Sequence, residues 1–291
     1  MAPKSWTIQE LLKVTAEYLA KKQIESSRLC AEILLAHQLQ TNRLKLYLEF
    51  ERPLQEEEIE GYRALIVRRV NREPVQYITG HQEFWSMDLR VNPSVLIPRP
   101  ETEVLVEQAI YLIQNEKIPV KETYHLLDLG TGSGALALAL AKELEKARVW
   151  ATDISGTALE TARANARQLG LENRIEFREG DLWEPVQKEQ IGFDLIVSNP
   201  PYIAEEQYAG LAPEVKDHEP GIALNGGAGG MCYLEKIAAR ASEFLNPEAW
   251  LLLEMDPAQT GPVMDLLQAG GRFESPRCVK DYSGQLRVVM A

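Results

Sequence analysis

The sequence predicts an α/β protein: a small N-terminal helical bundle, then a mostly parallel sheet with helices on both faces and an antiparallel last strand. Three observations carry this. Between residues 5 and 72 apolar side chains recur at helical spacing, as Leu11, Leu12, Val14 and Leu19, then Leu29, Ile33, Leu34 and Leu35, then Ile59, Leu65, Ile66 and Val67. In the remainder, short apolar runs alternate with helical segments, the pattern of parallel strands joined by crossover helices. Near the C-terminus the strand candidates 278–282 and 285–290 are separated by Ser283 and Gly284 alone. A parallel crossover needs a dozen or more residues, so this pair must be antiparallel.

Taken in order, Glu56, Glu57 and Glu58 suit the start of a helix and Arg68 and Arg69 its solvated basic end, each sign set against the opposite pole of the helix dipole. Alternation over 83–91 predicts a short hairpin, with His81 on the surface beside it. The chain thus divides into a helical bundle over 1–75, a linker with the hairpin over 76–98, and the sheet domain over 99–291. A strand at 124–129 carries Asp128 and Leu129 and runs into Gly130, Thr131, Gly132, Ser133 and Gly134, followed by an Ala/Leu-rich helix over 135–144. Glycines allow a tight turn and close approach to a ligand, and a helix start offers N–H groups to an anion or carboxylate. The spacing is G-x-G-x-G rather than the dinucleotide fingerprint G-x-G-x-x-G, and no G-x-x-x-x-G-K-[ST] loop occurs, which disfavours NAD and nucleoside triphosphates.

The next strand, 148–151, ends at Asp153, about 20 residues past the last loop glycine, where doubly wound folds place an acid against ribose hydroxyls. The bland alternative for Asp153, a helix cap, falls instead to Ser155, ahead of a helix over 155–169. A third strand, 174–178, leads to Gly180, Asp181, Leu182 and Trp183, an acidic acceptor and an apolar wall suited to an adenine; Asp181 suits a solvated turn equally well. The apolar run 193–197 reads as a buried strand, and after it stand Asn199, Pro200, Pro201 and Tyr202. An amide, two rigid residues and an aromatic where strand becomes loop suit the gripping of a planar amide-like nitrogen. The prolines stiffen the backbone and remove two N–H donors, leaving carbonyl acceptors beyond the strands' carboxyl ends, where open α/β sheets bind ligands. Read alone, the tetrapeptide also fits a Pro-rich turn with Tyr202 as a packing residue. The glycine-rich segment 226–230 reads as a flexible loop, a second cofactor loop being the poorer reading.

Composition narrows the function classes. A chain of 291 residues has room for two domains and a sizeable core. It contains no apolar run of 18 or more and no signal-peptide core at its start, so neither a membrane span nor export is expected. Cys30, Cys232 and Cys278 lack CxxC spacing and the four histidines show no HxxxH or HExxH pairing, so free thiols in a reducing cytoplasm and no metal are expected. The net charge of −12 opposes polyanions and favours a protein or small-molecule substrate over nucleic acid.

The order of glycine loop, ribose acid, base-edge acid and amide-gripping loop resembles the class I S-adenosylmethionine-dependent methyltransferases. The resemblance sharpens at Pro74, Val75, Gln76, Tyr77 and Ile78, at Glu83, Phe84 and Trp85, and at Leu96, Ile97, Pro98, Arg99, Pro100, Glu101, Thr102 and Glu103. With His218, Glu219 and Pro220 downstream, these are similar to the HemK/PrmC-type release factor glutamine N5-methyltransferases, over nearly the whole chain.

That resemblance implies a seven-stranded Rossmann-like methyltransferase sheet and S-adenosylmethionine as methyl donor, with S-adenosylhomocysteine as product. It implies cofactor contacts from Asp128, Gly130, Thr131, Gly132, Ser133, Gly134, Asp153, Asp181, Leu182 and Asn199, and substrate contacts from Asn199, Pro200, Pro201 and Tyr202. The expected partner is a class 1 peptide chain release factor, methylated at the glutamine of its Gly-Gly-Gln loop by a cytoplasmic monomer with no stable nucleic-acid binding. NPPY is shared with adenine-N6 methyltransferases acting on DNA or RNA, which flip the base into their sites, and that activity is the alternative. A non-catalytic binding module is a third reading, opposed by the intact glycine loop and tetrapeptide. One departure from the family pattern is the run from Leu253 through Glu254, Met255, Asp256 and Pro257, where a small or polar residue and no proline is usual; it is expected to lie outside the cofactor and amide motifs.

Overall fold

A computed structural model describes residues 6–115, 117–188 and 191–291. The first five residues of the expected bundle thus lie outside the described residues. The chain forms two compact units, Met1–Gly80 with Ala212–His218, and His81–Leu211 with Glu219–Ala291.

The first unit is helical: α1 (Ile8–Lys21), α2 (Ser27–Gln38), α3 (Arg43–Leu48), α4 (Glu56–Val70) and α5 (Val75–Thr79). A capping box between Thr7 and Glu10 starts α1, and Asn42 caps α3, each satisfying backbone N–H groups that a helix start leaves unpaired. Leu12, Leu19, Leu34, Leu35, Tyr62 and Ile66 form the core, whereas Val14, Leu29 and Val67 are exposed despite their helical spacing. Glu56, Glu57 and Glu58 open α4 as expected, but Arg69 is not solvated at its end. It is buried because Glu214, in the returning segment, accepts from its guanidinium at 2.8 Å.

The second unit begins with the hairpin β1 (His81–Phe84) and β2 (Met87–Arg90), turning at Trp85 and Ser86 with φ of 50° and 52°, the paired left-handed residues of a tight hairpin turn. Then come α6 (Glu103–Gln114), β3 (Tyr124–Leu129), α7 (Ala135–Glu143), β4 (Ala147–Asp153), α8 (Gly156–Leu169), β5 (Ile175–Glu179) and β6 (Phe193–Ser198). The single turn α9 (Pro213–Lys216) belongs with the first unit. Completing the second are α10 (Cys232–Arg240), β7 (Leu245–Glu254), α11 (Thr260–Ala269), β8 (Arg277–Lys280) and β9 (Leu286–Met290).

Seven strands pair in the order β5-β4-β3-β6-β7-β9-β8. β3 to β7 are parallel, and β9 is antiparallel to both β7 and β8; residues 281–285 join β8 to β9, a longer connection than the two residues expected but still too short for a parallel crossover. Side chains alternate across the sheet: Leu126, Val149, Leu195 and Leu252 pack under α6 and α7, while Leu127, Ile196, Leu251 and Leu253 pack under α10 and α11. The chain runs outward from β3 through β4 to β5, then returns to β6 on the other side of β3. That reversal opens a crevice at the carboxyl ends of β3 and β6, the place where doubly wound sheets bind ligands. No helix among the described residues is long and apolar enough to cross a membrane.

Candidate active site

A cleft of about 770 Å³ lies at that crevice, entirely within the second unit. Gly130, Gly132 and Asp153 form one side and Asn199, Pro200 and Pro201 another. Asp181 and Leu182 line it as well, with Ile154 beside them.

The glycine loop is held from beneath. Gly130 and Thr131 both donate to the Thr152 carbonyl at 2.9 Å, and Gly132 donates to Asp153 Oδ2 at 2.8 Å. These three loop amides are therefore spent inside the protein rather than presented to the cleft. Gly130 and Gly132 have φ of 74° and 57°, and a Cβ at either would stand in open space on the cleft side. The loop thus admits close approach of a ligand to bare backbone. Gly134 serves packing instead, since a Cβ there would lie 3.1 Å from that of Ala162 on α8.

Asp128, Thr131 and Ser133 are buried and do not line the cleft. Asp128 Oδ2 accepts from the Thr131 hydroxyl at 2.6 Å and from Ala137 N at 3.2 Å, tying the loop to the start of α7. Burial pushes its carboxyl up to about 7, against the lowering pull of those bonds. The Ser133 carbonyl accepts from Asn165 of α8, whose side chain also pairs both backbone groups of Arg90.

Asp153 sits at the end of β4, where Oδ1 accepts from Ser155 N at 2.9 Å. Burial raises its pKa while the amides of Ser155, Gly132 and Ile154 hold it down. Capping of α8 falls to the Ser155 hydroxyl, which accepts from Ala158 N. Leu182 is held at φ 45°, a left-handed conformation unusual for a bulky residue, at the cleft wall. Trp183 is not part of that wall. It stacks on Phe244 at 4.5 Å in the core, leaving Leu182 and Ile154 among the cleft's apolar surfaces.

Asn199 donates from Nδ2 to Thr102 Oγ1 at 3.0 Å. Thr102 belongs to the segment on which the family resemblance rests, and that segment is itself pinned: Glu219, nearly all buried, accepts from Ile97 N at 3.1 Å and from Arg99 Nη2 at 2.5 Å. Ser198 Oγ donates to the Leu129 carbonyl at 2.7 Å, locking the ends of β6 and β3 together. Tyr202 does not line the cleft; its ring packs against the α10–α11 core and its hydroxyl reaches Glu254 Oε1 at 3.4 Å.

Behind the tetrapeptide lie residues that no local motif singled out. Gln259 Nε2 donates to the Tyr202 carbonyl at 2.8 Å and to the Gly229 carbonyl at 3.2 Å. The Asp256-Pro257 departure is what positions it: Asp256 caps the short turn Pro257–Gln259, and its backbone N–H donates to Gln259 Oε1. That run is therefore joined to the amide motif rather than lying outside it. The segment 226–230 is likewise packed. Gly226 N donates to the Ile203 carbonyl, and a Cβ on Gly230 would fall 2.1 Å from the Tyr202 carbonyl oxygen.

Residues 10–80 match the family described as PrmC N-terminal domain and residues 110–214 the methyltransferase small domain. In fold alone, the chain is similar to the human METTL16 catalytic domain in complex with a MAT2A 3'UTR hairpin (TM-score 0.56, 16% identity, 76% of this chain and 80% of that one). The human methyltransferase 10 domain containing protein is similar at TM-score 0.52 and 16% identity, over 71% of this chain and 88% of that one. Proteins named release factor glutamine methyltransferase are similar over almost the full length: 43% identity in Geobacter sulfurreducens, covering 99% of this chain and 97% of that protein, and 38% in Rhodopirellula baltica, covering 98% and 95%. The chain belongs to the release factor glutamine methyltransferase family.

Proposed function

We propose that the protein transfers a methyl group from S-adenosylmethionine to the side-chain amide N5 of the glutamine in the Gly-Gly-Gln motif of class 1 peptide chain release factors, acting as a cytoplasmic monomer. The observation that carries this reading is the meeting of Gly130, Gly132 and Asp153 with Asn199 and Pro200 in one cleft. The bare loop backbone, with its amides already spent, suits a nucleoside without phosphates. Asp153 accepts from the ribose hydroxyls, Asp181 from the adenine amino group, and Leu182 and Ile154 cover the base. When bound, S-adenosylmethionine supplies an electrophilic methyl on a cationic sulfonium.

The acceptor side is built for a poor nucleophile. An amide nitrogen has its lone pair delocalised into the carbonyl, so it must be aimed and kept electron-rich. Asn199 Oδ1 and the Pro200 carbonyl each accept one N–H of the substrate amide, which fixes the direction of the nitrogen and leaves charge on it. Proximity and orientation of this kind contribute several kcal/mol, on the order of 7 or more in well-oriented systems. Tyr202 acts by anchoring the loop through its packed ring and its contact with Glu254. The helical unit docks the release factor.

The competing activity, adenine-N6 methylation of DNA or RNA, rests on the tetrapeptide alone. Full-length likeness to release factor glutamine methyltransferases and the net charge of −12 weigh against it. Incubation with labelled S-adenosylmethionine and either purified release factor or DNA, followed by mass mapping, is the test. Label on the Gly-Gly-Gln glutamine is expected; equal or greater labelling of nucleic acid would replace the proposal with its rival.

A further inference from the structure

Asn199, Pro200, Pro201 and Tyr202 lie beyond the end of β6, where no strand ladder fixes the backbone, and the two prolines have no N–H to anchor it. The segment is held instead by groups from elsewhere in the chain. At its near end Asn199 Nδ2 donates to Thr102 Oγ1 at 3.0 Å. At its far end the peptide unit joining Tyr202 to Ile203 is clamped on both sides: Ile203 N donates to the Leu224 carbonyl at 3.0 Å, and the Tyr202 carbonyl accepts from Gln259 Nε2 at 2.8 Å.

Gln259 is buried, and its carboxamide has one orientation only. Oε1 accepts from Asp256 N at 3.0 Å, while Nε2 also donates to the Gly229 carbonyl at 3.2 Å. Turned over, it would set its oxygen against two carbonyl oxygens and its NH₂ against an N–H. The backbone on this side is tight as well, since a Cβ on Gly226 would fall 2.8 Å from the Pro201 carbonyl oxygen. Peptide planes are rigid and the Pro201 ring locks a torsion lying between the Pro200 and Tyr202 carbonyls, so fixing the second goes far to aim the first. We propose that Gln259 is a positioning residue for the transfer: by holding the Tyr202 carbonyl it aims the Pro200 carbonyl at the methyl acceptor. This rests on the reading of Asn199 and Pro200 as the groups that grip the glutamine amide.

The test compares full-length Gln259→Met, Gln259→Glu and Thr260→Val with the parent protein. Gln259→Met keeps the length of the side chain but donates nothing, and Gln259→Glu keeps the acceptor for Asp256 N while losing the NH₂. Thr260 is the control: it is buried at the next position and donates from Oγ1 to the Pro257 carbonyl at 2.8 Å, so it holds the same turn but not the tetrapeptide. Under conditions where urea unfolding shows each variant folded, single-turnover transfer at saturating release factor should slow at least about tenfold in both Gln259 variants. The half-saturating release factor concentration and S-adenosylmethionine affinity should stay within about twofold of the parent, and transfer by Thr260→Val within about threefold, although it too is less stable. The carbonyl carbon resonance of Tyr202, read by NMR, should move in both Gln259 variants and stay in Thr260→Val. Near-parental transfer by Gln259→Met, cofactor affinity falling in step with the rate, or Thr260→Val slowing as much as the Gln259 variants would overturn the proposal. A parent protein inactive on release factor would refute the proposed function instead; the resonance would still decide the inference, and a Tyr202 carbonyl unmoved in Gln259→Met overturns it.

Discussion

Substitution of Gly230 by alanine should separate strain from displacement at the amide-gripping loop. Gly229 and Gly230 are both left-handed, with φ of 60° and 72°, so alanine at either costs roughly 1 kcal/mol of backbone strain. Their surroundings differ. A Cβ on Gly229 meets nothing within 4 Å, whereas on Gly230 it would fall 2.1 Å from the Tyr202 carbonyl oxygen and 2.4 Å from Gln259 Nε2. Relieving a contact with backbone that short requires a shift of about 1 Å. Such a shift breaks the Gln259 bonds to the Tyr202 and Gly229 carbonyls, each worth about 1 kcal/mol net and more where a buried group is left unpaired.

Gly230→Ala should therefore lose roughly 3–5 kcal/mol, a large part of the ~5–15 kcal/mol that holds a typical domain. Gly229→Ala should lose about 1 kcal/mol. Because the displaced carbonyl belongs to the tetrapeptide, transfer should fall by about a hundredfold in Gly230→Ala even under conditions where it is fully folded. Urea unfolding, read as a fall in midpoint at constant slope, and single-turnover transfer make the measurement. If the two variants behave alike in both, the packing of this segment against the tetrapeptide has no energetic weight and the reasoning fails.

Other expectations follow from the same geometry. Gly132→Val fills the open side of the loop and Asp153→Ala removes the acceptor of both Gly132 N and Ser155 N, so each should weaken S-adenosylmethionine binding at least about tenfold; parental affinity in both by equilibrium titration would remove these residues from the cofactor site. Asn199→Ala should reduce turnover far more than cofactor affinity, because the lost acceptor leaves a substrate N–H unpaired at roughly 1–3 kcal/mol and misaims the nitrogen; near-normal single-turnover rates would mean other groups hold the amide. Glu254, surrounded by Thr102, Glu101, Tyr202 and Arg287, is raised by burial from 4.5 to about 7, so the folded protein holds a proton that the unfolded chain releases between those values. Its contribution to stability is accordingly present below pH 4.5 and is lost as pH rises toward 7, and Glu254→Gln should gain on the parent by about 3 kcal/mol between pH 4.5 and 8; a pH-independent difference in chemical denaturation would contradict this. Glu214→Gln should destabilise the helical unit by roughly 3 kcal/mol, since it uncouples the buried Arg69, whose Nε already lacks a partner among the described residues; unchanged unfolding and unchanged proteolysis within 205–218 would refute it.

Local chemistry wrote the elements into the sequence. The strands preceding the glycine loop, Asp153 and Asn199 fall within a residue or two of where apolar runs put them, and Ser155 caps α8 as its hydroxyl and position suggest. What periodicity and turn chemistry do not carry is pairing across the chain. Thr102 meets Asn199 across 97 positions, Glu219 meets Ile97 across 122, and Gln259 meets Tyr202 across 57. Each is a polar residue whose short-range reading is an ordinary turn or helix end. Trp183 misleads because it stands in line with Asp181 and Leu182; the backbone turns after Leu182 and the indole enters the core, where Phe244 offers a stacking face. The glycines of 226–230 look flexible by composition, yet Gly226 and Gly230 are required small because the tetrapeptide's own backbone passes against them.

The acids at the strand ends explain how an irregular loop is held with the precision that transfer demands. In the sheet β6 lies between β3 and β7, and those two neighbours carry buried carboxylates at their carboxyl ends, Asp128 next to last in β3 and Glu254 last in β7. Each has one oxygen without a hydrogen-bond partner among the described residues, and burial raises each to about 7. Neither lines the cleft. Asp128 grips Thr131 and Ala137, and so the glycine loop; Glu254 meets the Tyr202 hydroxyl, and so the tetrapeptide. A loop outside the sheet has no ladder to fix it, and a charged acceptor supplies hydrogen bonds about twice as strong as a neutral one would. The unserved oxygens cost roughly 1–3 kcal/mol apiece, a loss that a purely structural core would remove with an apolar residue. Their retention on both flanks of Asn199 places the stability cost where the two ligands must be held against each other, and this is why exchanging either acid for an uncharged isostere should yield a protein that is slower without being weaker.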